Sequence, residues 1–153
     1  MTDYKLLNSQ LQLTLADETD GLANAANFVA QLYNGLADIN WLGLYISRAS
    51  GLVLGPFQGL PAVTTIAMGD GVCGAAAEQR QTLRVPDVHA FPGHIACDAA
   101  SRSEIVVPLI KEDRLLGVLD IDSPVLDRFS VDDQRGIEAL CGTYLDSVDS
   151  HYI

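Results

Sequence analysis

The sequence is poor in basic side chains, and this shortage argues against one large class of partner. It contains 9 lysines and arginines against 20 aspartates and glutamates, which gives a formal net charge of −11 at pH 7. Binding to a phosphate backbone requires clustered cations that displace counterions. We therefore expect no nucleic-acid partner.

Long apolar runs are missing as well. No stretch approaches ~18 uninterrupted apolar residues, the length that suits a membrane span. The first twenty residues also lack the basic start and apolar run that are typical of an export signal. The sequence therefore predicts neither a membrane protein nor a secreted one, and we expect a cytoplasmic location.

Cysteine is scarce and its count is odd: Cys73, Cys97 and Cys141. In a reducing compartment these would be thiols, so at least one is available for chemistry. His89 and His94 could join Cys73 and Cys97 as zinc ligands, but no CxxC occurs and the spacing fits no common zinc pattern. We therefore expect no metal. Cys141 lies on the apolar stripe of a predicted helix, which favours a buried, inert thiol.

What the sequence does contain indicates one globular domain over residues 1–153. The length suffices for a proper core, and 48% of the residues are hydrophobic. Apolar residues recur at helical spacing over about 20–38, after a shorter helix that begins near Tyr4. A third helical stripe follows Ser130, which begins a sequence typical of a capping box. The chain is thus predicted to begin and end in helices.

Between these helices the apolar period changes to two. Residues 40–47 and 52–57 predict one hairpin, and residues 104–110 and 115–122 predict another around a turn at 111–114. The region of about 69–102 reads as irregular, with a short helix near Cys73. This order predicts an α+β fold, a mainly antiparallel sheet covered by helices.

Two groups of residues stand out on the predicted strands. Trp41, Gly43 and Tyr45 share one face, which favours either packing under a helix or an aromatic chamber in which glycine leaves room for a ligand. This alternative stays open at the level of sequence.

The second group is acidic. Asp120 and Asp122 share a face of their strand, and the hairpin brings Glu104 close to them at one edge. One interpretation is a solvated sheet edge. The other is that neighbouring carboxyls raise one another's pKa, so that one stays protonated near neutrality and can donate a proton or bind an ammonium group.

These residues belong to a wider pattern. The segments "NWLGLYI", "GDGVCGAAA", "FPGHIACD", "SEIVVPL" and "LDIDS" together resemble the free methionine-(R)-sulfoxide reductases, over about residues 20–145. The resemblance implies a GAF domain with a six-stranded, mainly antiparallel sheet and helices on both sides. It also implies a homodimer and a buried pocket for one free amino acid.

The resemblance assigns roles to the acids and aromatics singled out above. Glu104, Asp120 and Asp122 match the family's acids that hold the substrate. Trp41 and Tyr45 match the aromatic residues that enclose its methyl-sulfinyl end.

It also assigns roles to two cysteines. Cys97 matches the catalytic cysteine, whose thiolate would attack the sulfoxide sulfur and become a sulfenic acid while Glu104 or Asp122 supplies a proton. Cys73 matches a second cysteine. Val63 stands where family members commonly have a third, which often forms the recycling disulfide. The sulfenic acid would then be resolved by Cys73 or by an external thiol, either thioredoxin or a low-molecular-weight thiol, with no bound cofactor.

Val63 also leaves room for other functions. A GAF module that senses a small molecule without chemistry is the main alternative, and a scaffold protein is a more distant one. Turnover of free methionine sulfoxide is the observation that separates these possibilities.

Overall fold

The protein is described by a computed structural model over residues 1–94 and 99–149. Its helices are α1 (Tyr4–Leu15), α2 (Gly21–Gly35), α3 (Gly71–Gln79) and α4 (Val131–Asp146), with a short 3-10 helix at Val88–Ala90. Within these ranges, no helix combines the length and apolar character that crossing a bilayer requires.

Side-chain caps explain where the long helices begin. The carboxylate of Asp20 accepts a hydrogen bond from the backbone N–H of Ala23 at the start of α2, and Ser130 and Asp133 form the predicted reciprocal capping box of α4. Helix α2 ends at Gly35, earlier than the predicted limit of about 38, because the backbone of Leu36 is extended, with φ −102° and ψ 131°.

Six strands form one sheet in which each pairing is antiparallel. Their bounds are β1 Trp41–Arg48, β2 Gly51–Gln58, β3 Thr65–Ile66, β4 Leu83–Val85, β5 Ser103–Lys111 and β6 Arg114–Ser123, and their order is β3-β2-β1-β6-β5-β4. Both predicted hairpins are confirmed. The predicted turn at 111–114 is shortened to Glu112–Asp113, whose φ values of 53° and 63° suit a two-residue hairpin turn.

The sheet separates two apolar clusters. One face packs against α2 and α4, on which α1 packs in turn, with Phe28 stacked on Tyr144 at a centroid distance of 4.4 Å. The opposite face carries Trp41 and Tyr45 and is covered by α3. The predicted α+β class and the helices on both sides of the sheet are therefore confirmed.

Candidate active site beneath helix α3

The three predicted acids meet on the sheet face that α3 covers. Glu104 pairs directly with Asp122 across β5 and β6, while Asp120 lies one pleat along, opposite Val106. Only 4%, 2% and 4% of Glu104, Asp120 and Asp122 are exposed. The interpretation of these residues as a solvated sheet edge is wrong, because β1 and β4 flank the hairpin on either side and leave β5 and β6 inside the sheet.

Helix α3 adds a thiol to this cluster. Cys73 is the third residue of the helix and is a free, buried cysteine. Its Sγ atom and one carboxylate oxygen each of Glu104 and Asp120 all lie within 4.8 Å of one another. These side chains, with His94, line an internal cavity of about 10 Å³, which is the space of roughly one water molecule.

Burial and mutual repulsion keep protons on these acids. Burial first, and then the charge of Asp122, raises the pKa of Glu104 to about 8, although a hydrogen bond from Asp120 opposes the shift. The pKa of Asp120 is raised well above its usual range, first by burial and then by the charge of Glu104. The hydrogen bond to Glu104 raises it further, because Asp120 is the donor in that bond. The described geometry therefore supports the expectation of a carboxyl group that stays protonated near neutral pH.

The thiol of Cys73 is held in its neutral form. A position in the first turn of a helix ordinarily lowers a cysteine pKa. Here burial, followed by the charges of Asp120, Glu104 and Asp122, raises the pKa of Cys73 well above its usual range. Desolvation thus raises the pKa of Cys73 by more than the helix lowers it. The neutral thiol donates a hydrogen bond to Asp120.

Trp41 and Tyr45 lie on the same sheet face as the acids, where they form an aromatic wall, and both are fully buried. Trp41 pairs with Asp122 across β1 and β6, and its ring stacks on Phe57 at a centroid distance of 5.4 Å. A Cβ atom on Gly43 would lie 2.5 Å from both Trp41 and Phe57. The aromatic face therefore shares its apolar cluster with residues of α3, and the glycine leaves room for the ring of Trp41.

Both aromatic side chains are anchored to the loop that follows β2. The indole Nε1 of Trp41 donates to the carbonyl oxygen of Leu60 at 3.0 Å, and the hydroxyl of Tyr45 donates to that of Val63 at 2.8 Å. Position 63, where the family resemblance leads us to expect a cysteine, is thus tied directly to the aromatic wall.

His94 is a member of the site that sequence reasoning considered only as a zinc ligand. Its Nε2 lies 3.4 Å from Oε2 of Glu104. Burial lowers the pKa of His94, so the imidazole is neutral at pH 7 and the contact is not an ion pair. A histidine beside a Pro-Gly turn carries no spacing signal that would pair it with a glutamate ten residues later.

The other predicted residues lie elsewhere. His89 is exposed, on the 3-10 helix. Cys141 is buried in the opposite cluster, as predicted, with a pKa raised by burial. Cys97, the predicted catalytic residue, lies outside the described residues.

The chain is similar to known proteins in both sequence and structure. The family model described as "GAF domain" matches residues 16–143. Protein YtsP of Bacillus subtilis is 53% identical over 87% of this chain and 83% of its own. The free methionine-R-sulfoxide reductase of Escherichia coli is 51% identical over 90% of this chain and 83% of its own. The Staphylococcus aureus fRMsr structure in complex with substrate superposes with a TM-score of 0.92, at 47% identity and 96% coverage of both chains.

Proposed function

Because the chain belongs to the free methionine-R-sulfoxide reductase family of GAF-domain oxidoreductases, we propose that it reduces free methionine-R-sulfoxide to methionine with electrons from a thiol. The observation that carries this proposal is the buried cluster of Glu104, Asp120 and Asp122 beside the Trp41 wall. Buried acids of raised pKa at one site are typical of catalysis rather than of a solvated surface. The R preference rests on the family alone.

The substrate's two ends suit the two halves of the site. We assign the acids to the ammonium group of a free amino acid, whose positive charge favours their ionised form, and the rings of Trp41 and Tyr45 to the methyl-sulfinyl end. Methionine sulfoxide is many times larger than the cavity of about 10 Å³, so the lining residues must move apart when it binds. Enclosure of both ends excludes a polypeptide, and we therefore expect no activity on methionine sulfoxide within proteins.

In the reducing step the Cys97 thiolate attacks the sulfoxide sulfur and oxygen passes to the cysteine. The sulfoxide gains two electrons and leaves as the thioether methionine, while Cys97 loses two and becomes a sulfenic acid. A proton is needed on the departing oxygen. Glu104 is the better supported donor of the two candidates, because a pKa of about 8 leaves it mostly protonated at pH 7. Asp122, paired with it across the hairpin, stays the alternative.

The sulfenic acid must then be reduced by a thiol, with water as the leaving product. Cys73 is the internal candidate, since it lies among the same acids. Its raised pKa makes it a slow nucleophile, because the thiolate is the attacking species. An external thiol, either thioredoxin or a low-molecular-weight thiol of a reducing cytoplasm, is the other candidate, and it regenerates the enzyme in either case.

Turnover is the decisive test. The wild-type protein with free methionine-R-sulfoxide and dithiothreitol should release methionine, Cys97→Ser should not, and Cys141→Ala should behave as the wild type because Cys141 lies in the opposite cluster. A wild type that binds methionine but never turns over would instead identify a ligand-sensing module.

The recycling route needs a separate experiment. Mass analysis without reductant after one turnover should show either an internal Cys73–Cys97 disulfide or, when glutathione or thioredoxin is present, a mixed disulfide on Cys97. If the wild type forms only the mixed disulfide, and forms it as fast as a Cys73→Ser variant does, Cys73 is excluded as the resolving thiol.

We further propose a homodimer, as the family resemblance implies. Leu6 and Leu13 are 55% and 80% exposed on α1. Because they are seven residues apart, they lie on one side of the helix and offer an apolar surface to a second copy.

A further inference from the structure

We propose that the cavity beneath α3 is a binding site for a divalent zinc-type cation, held by Cys73, Glu104 and Asp120, with His94, which lines the same cavity, moving in as the fourth ligand. This donor set differs from the zinc set considered from the sequence, because it lacks His89 and Cys97 and gains two carboxylates. Thiolate, imidazole and carboxylate are together the ligands that zinc uses in proteins.

Three of the donor atoms lie at separations that suit one ion, whereas the imidazole of His94 does not lie within 4.8 Å of all three and must move. In a tetrahedral zinc site with bonds of about 2.0–2.3 Å, two ligand atoms lie about 3.3–3.8 Å apart. Nε2 of His94 and Oε2 of Glu104 are already 3.4 Å apart without a hydrogen bond between them. The atoms of Cys73, Glu104 and Asp120 lie within 4.8 Å of one another, so small side-chain rotations bring them into the shell.

A second observation points to a ligand in this cavity. Oε2 of Glu104 and Oδ1 of Asp120 are buried and accept no hydrogen bond, although both residues line the cavity and are at most 4% exposed. Buried oxygens without partners are rare, and each one has a free-energy cost. A cavity of about 10 Å³ has room for one ion or one water molecule and for nothing larger.

Occupancy would have a consequence for the reaction, and this part rests on the proposed function. The ion would take the carboxylates that we assign to the substrate, and it would convert Cys73 to a bound thiolate. Zinc should therefore compete with methionine sulfoxide and, at the same time, block Cys73, the internal candidate for the resolving thiol.

Cobalt titration of the Cys97→Ser protein tests the site directly. This variant removes the thiol that we propose to be catalytic, and cobalt(II) reports a thiolate ligand through a charge-transfer band in the near ultraviolet. We expect one cobalt per chain, displacement by zinc, and loss of the band with affinity reduced more than about tenfold when Cys73→Ser is added. Asp120→Asn should weaken binding while keeping the band. Cys141→Ala, added to the same background, is the matched control and should change neither.

Several outcomes would overturn the proposal: no stoichiometric binding, binding that Cys73→Ser leaves unchanged, or binding that requires Cys97. Far-UV circular dichroism identifies a variant that fails to fold, in which case Asp120→Asn decides. The titration contains no substrate, so it stands even if the reductase activity fails. Single-turnover release of methionine by the pre-reduced wild type, with and without zinc, then tests the competition.

Discussion

Replacing Glu104 with glutamine should stabilise the substrate-free protein while it impairs the reaction. The amide has nearly the same shape, and its carbonyl oxygen can still accept the hydrogen bond from Asp120. What the substitution removes is a carboxyl group whose pKa is raised from 4.5 to about 8 by burial and by Asp122. The charged form of Glu104 is therefore disfavoured in the folded state.

The expected magnitude follows from the difference between the two pKa values. Below pH 4.5 Glu104 is protonated in both the folded and the unfolded chain, and it contributes nothing. As the pH rises further, the unfolded chain loses the proton first, so the free energy of unfolding falls by about 1.4 kcal/mol per pH unit. The loss reaches about 3 kcal/mol at pH 7 and levels off at about 5 kcal/mol above pH 8. This is a large part of the total stability of an ordinary domain.

Urea denaturation of the wild type and Glu104→Gln between pH 4.5 and pH 9 measures this difference. The two curves should coincide at the acidic end and diverge towards the alkaline end, with the variant more stable. Glu112→Gln is the matched control, because it makes the same chemical change at an exposed position in the turn of the same hairpin. A gap between wild type and Glu104→Gln that stays constant from pH 5 to pH 8.5 would refute the reasoning, since it would show that Glu104 titrates normally.

Three other substitutions test separate parts of the structure. Asp122→Asn should lower the pKa of Glu104 below about 8, because the substitution removes a charge that raises this pKa. Carbon NMR titration of the labelled Glu104 side chain measures the pKa, and an unchanged titration midpoint would contradict the prediction. Gly43→Ala should lower the free energy of unfolding in urea by about 1–3 kcal/mol, because the new Cβ would lie 2.5 Å from Trp41 and Phe57. Gly142→Ala, where a Cβ meets nothing within 4 Å, should not lower it, and equal effects of the two substitutions would disprove the explanation. Leu13→Arg should convert the proposed dimer to a monomer of 16.4 kDa, as measured by light scattering. Leu126 is 45% exposed in a loop, and Leu126→Arg should leave the dimer intact. A wild type that is already monomeric would exclude the dimer.

Local patterns were sufficient for most of the fold. The helical stripes, the capping residues and the two hairpins depend on side chains within a few positions of one another, and each lies close to where the sequence predicts it. Strands β3 and β4 span two and three residues, too few for an alternating pattern, and only the family resemblance indicated six strands. The early end of α2 depends on the extended backbone of Leu36, an apolar residue that fits the helical periodicity and therefore gives no signal of the end.

For the site, the order of residues along the chain predicts which acids meet, because antiparallel pairing places Glu104 opposite Asp122. It does not determine whether they meet in water or in the interior. That depends on strand order, which puts β5 and β6 inside the sheet, and on α3, which covers the face and brings Cys73 within reach of Asp120. Burial is a property of the assembled layers, and it is burial that raises the pKa values of Glu104, Asp120 and Cys73. The sequence therefore supplied the reactive groups and their pairing, while the tertiary structure decided their protonation.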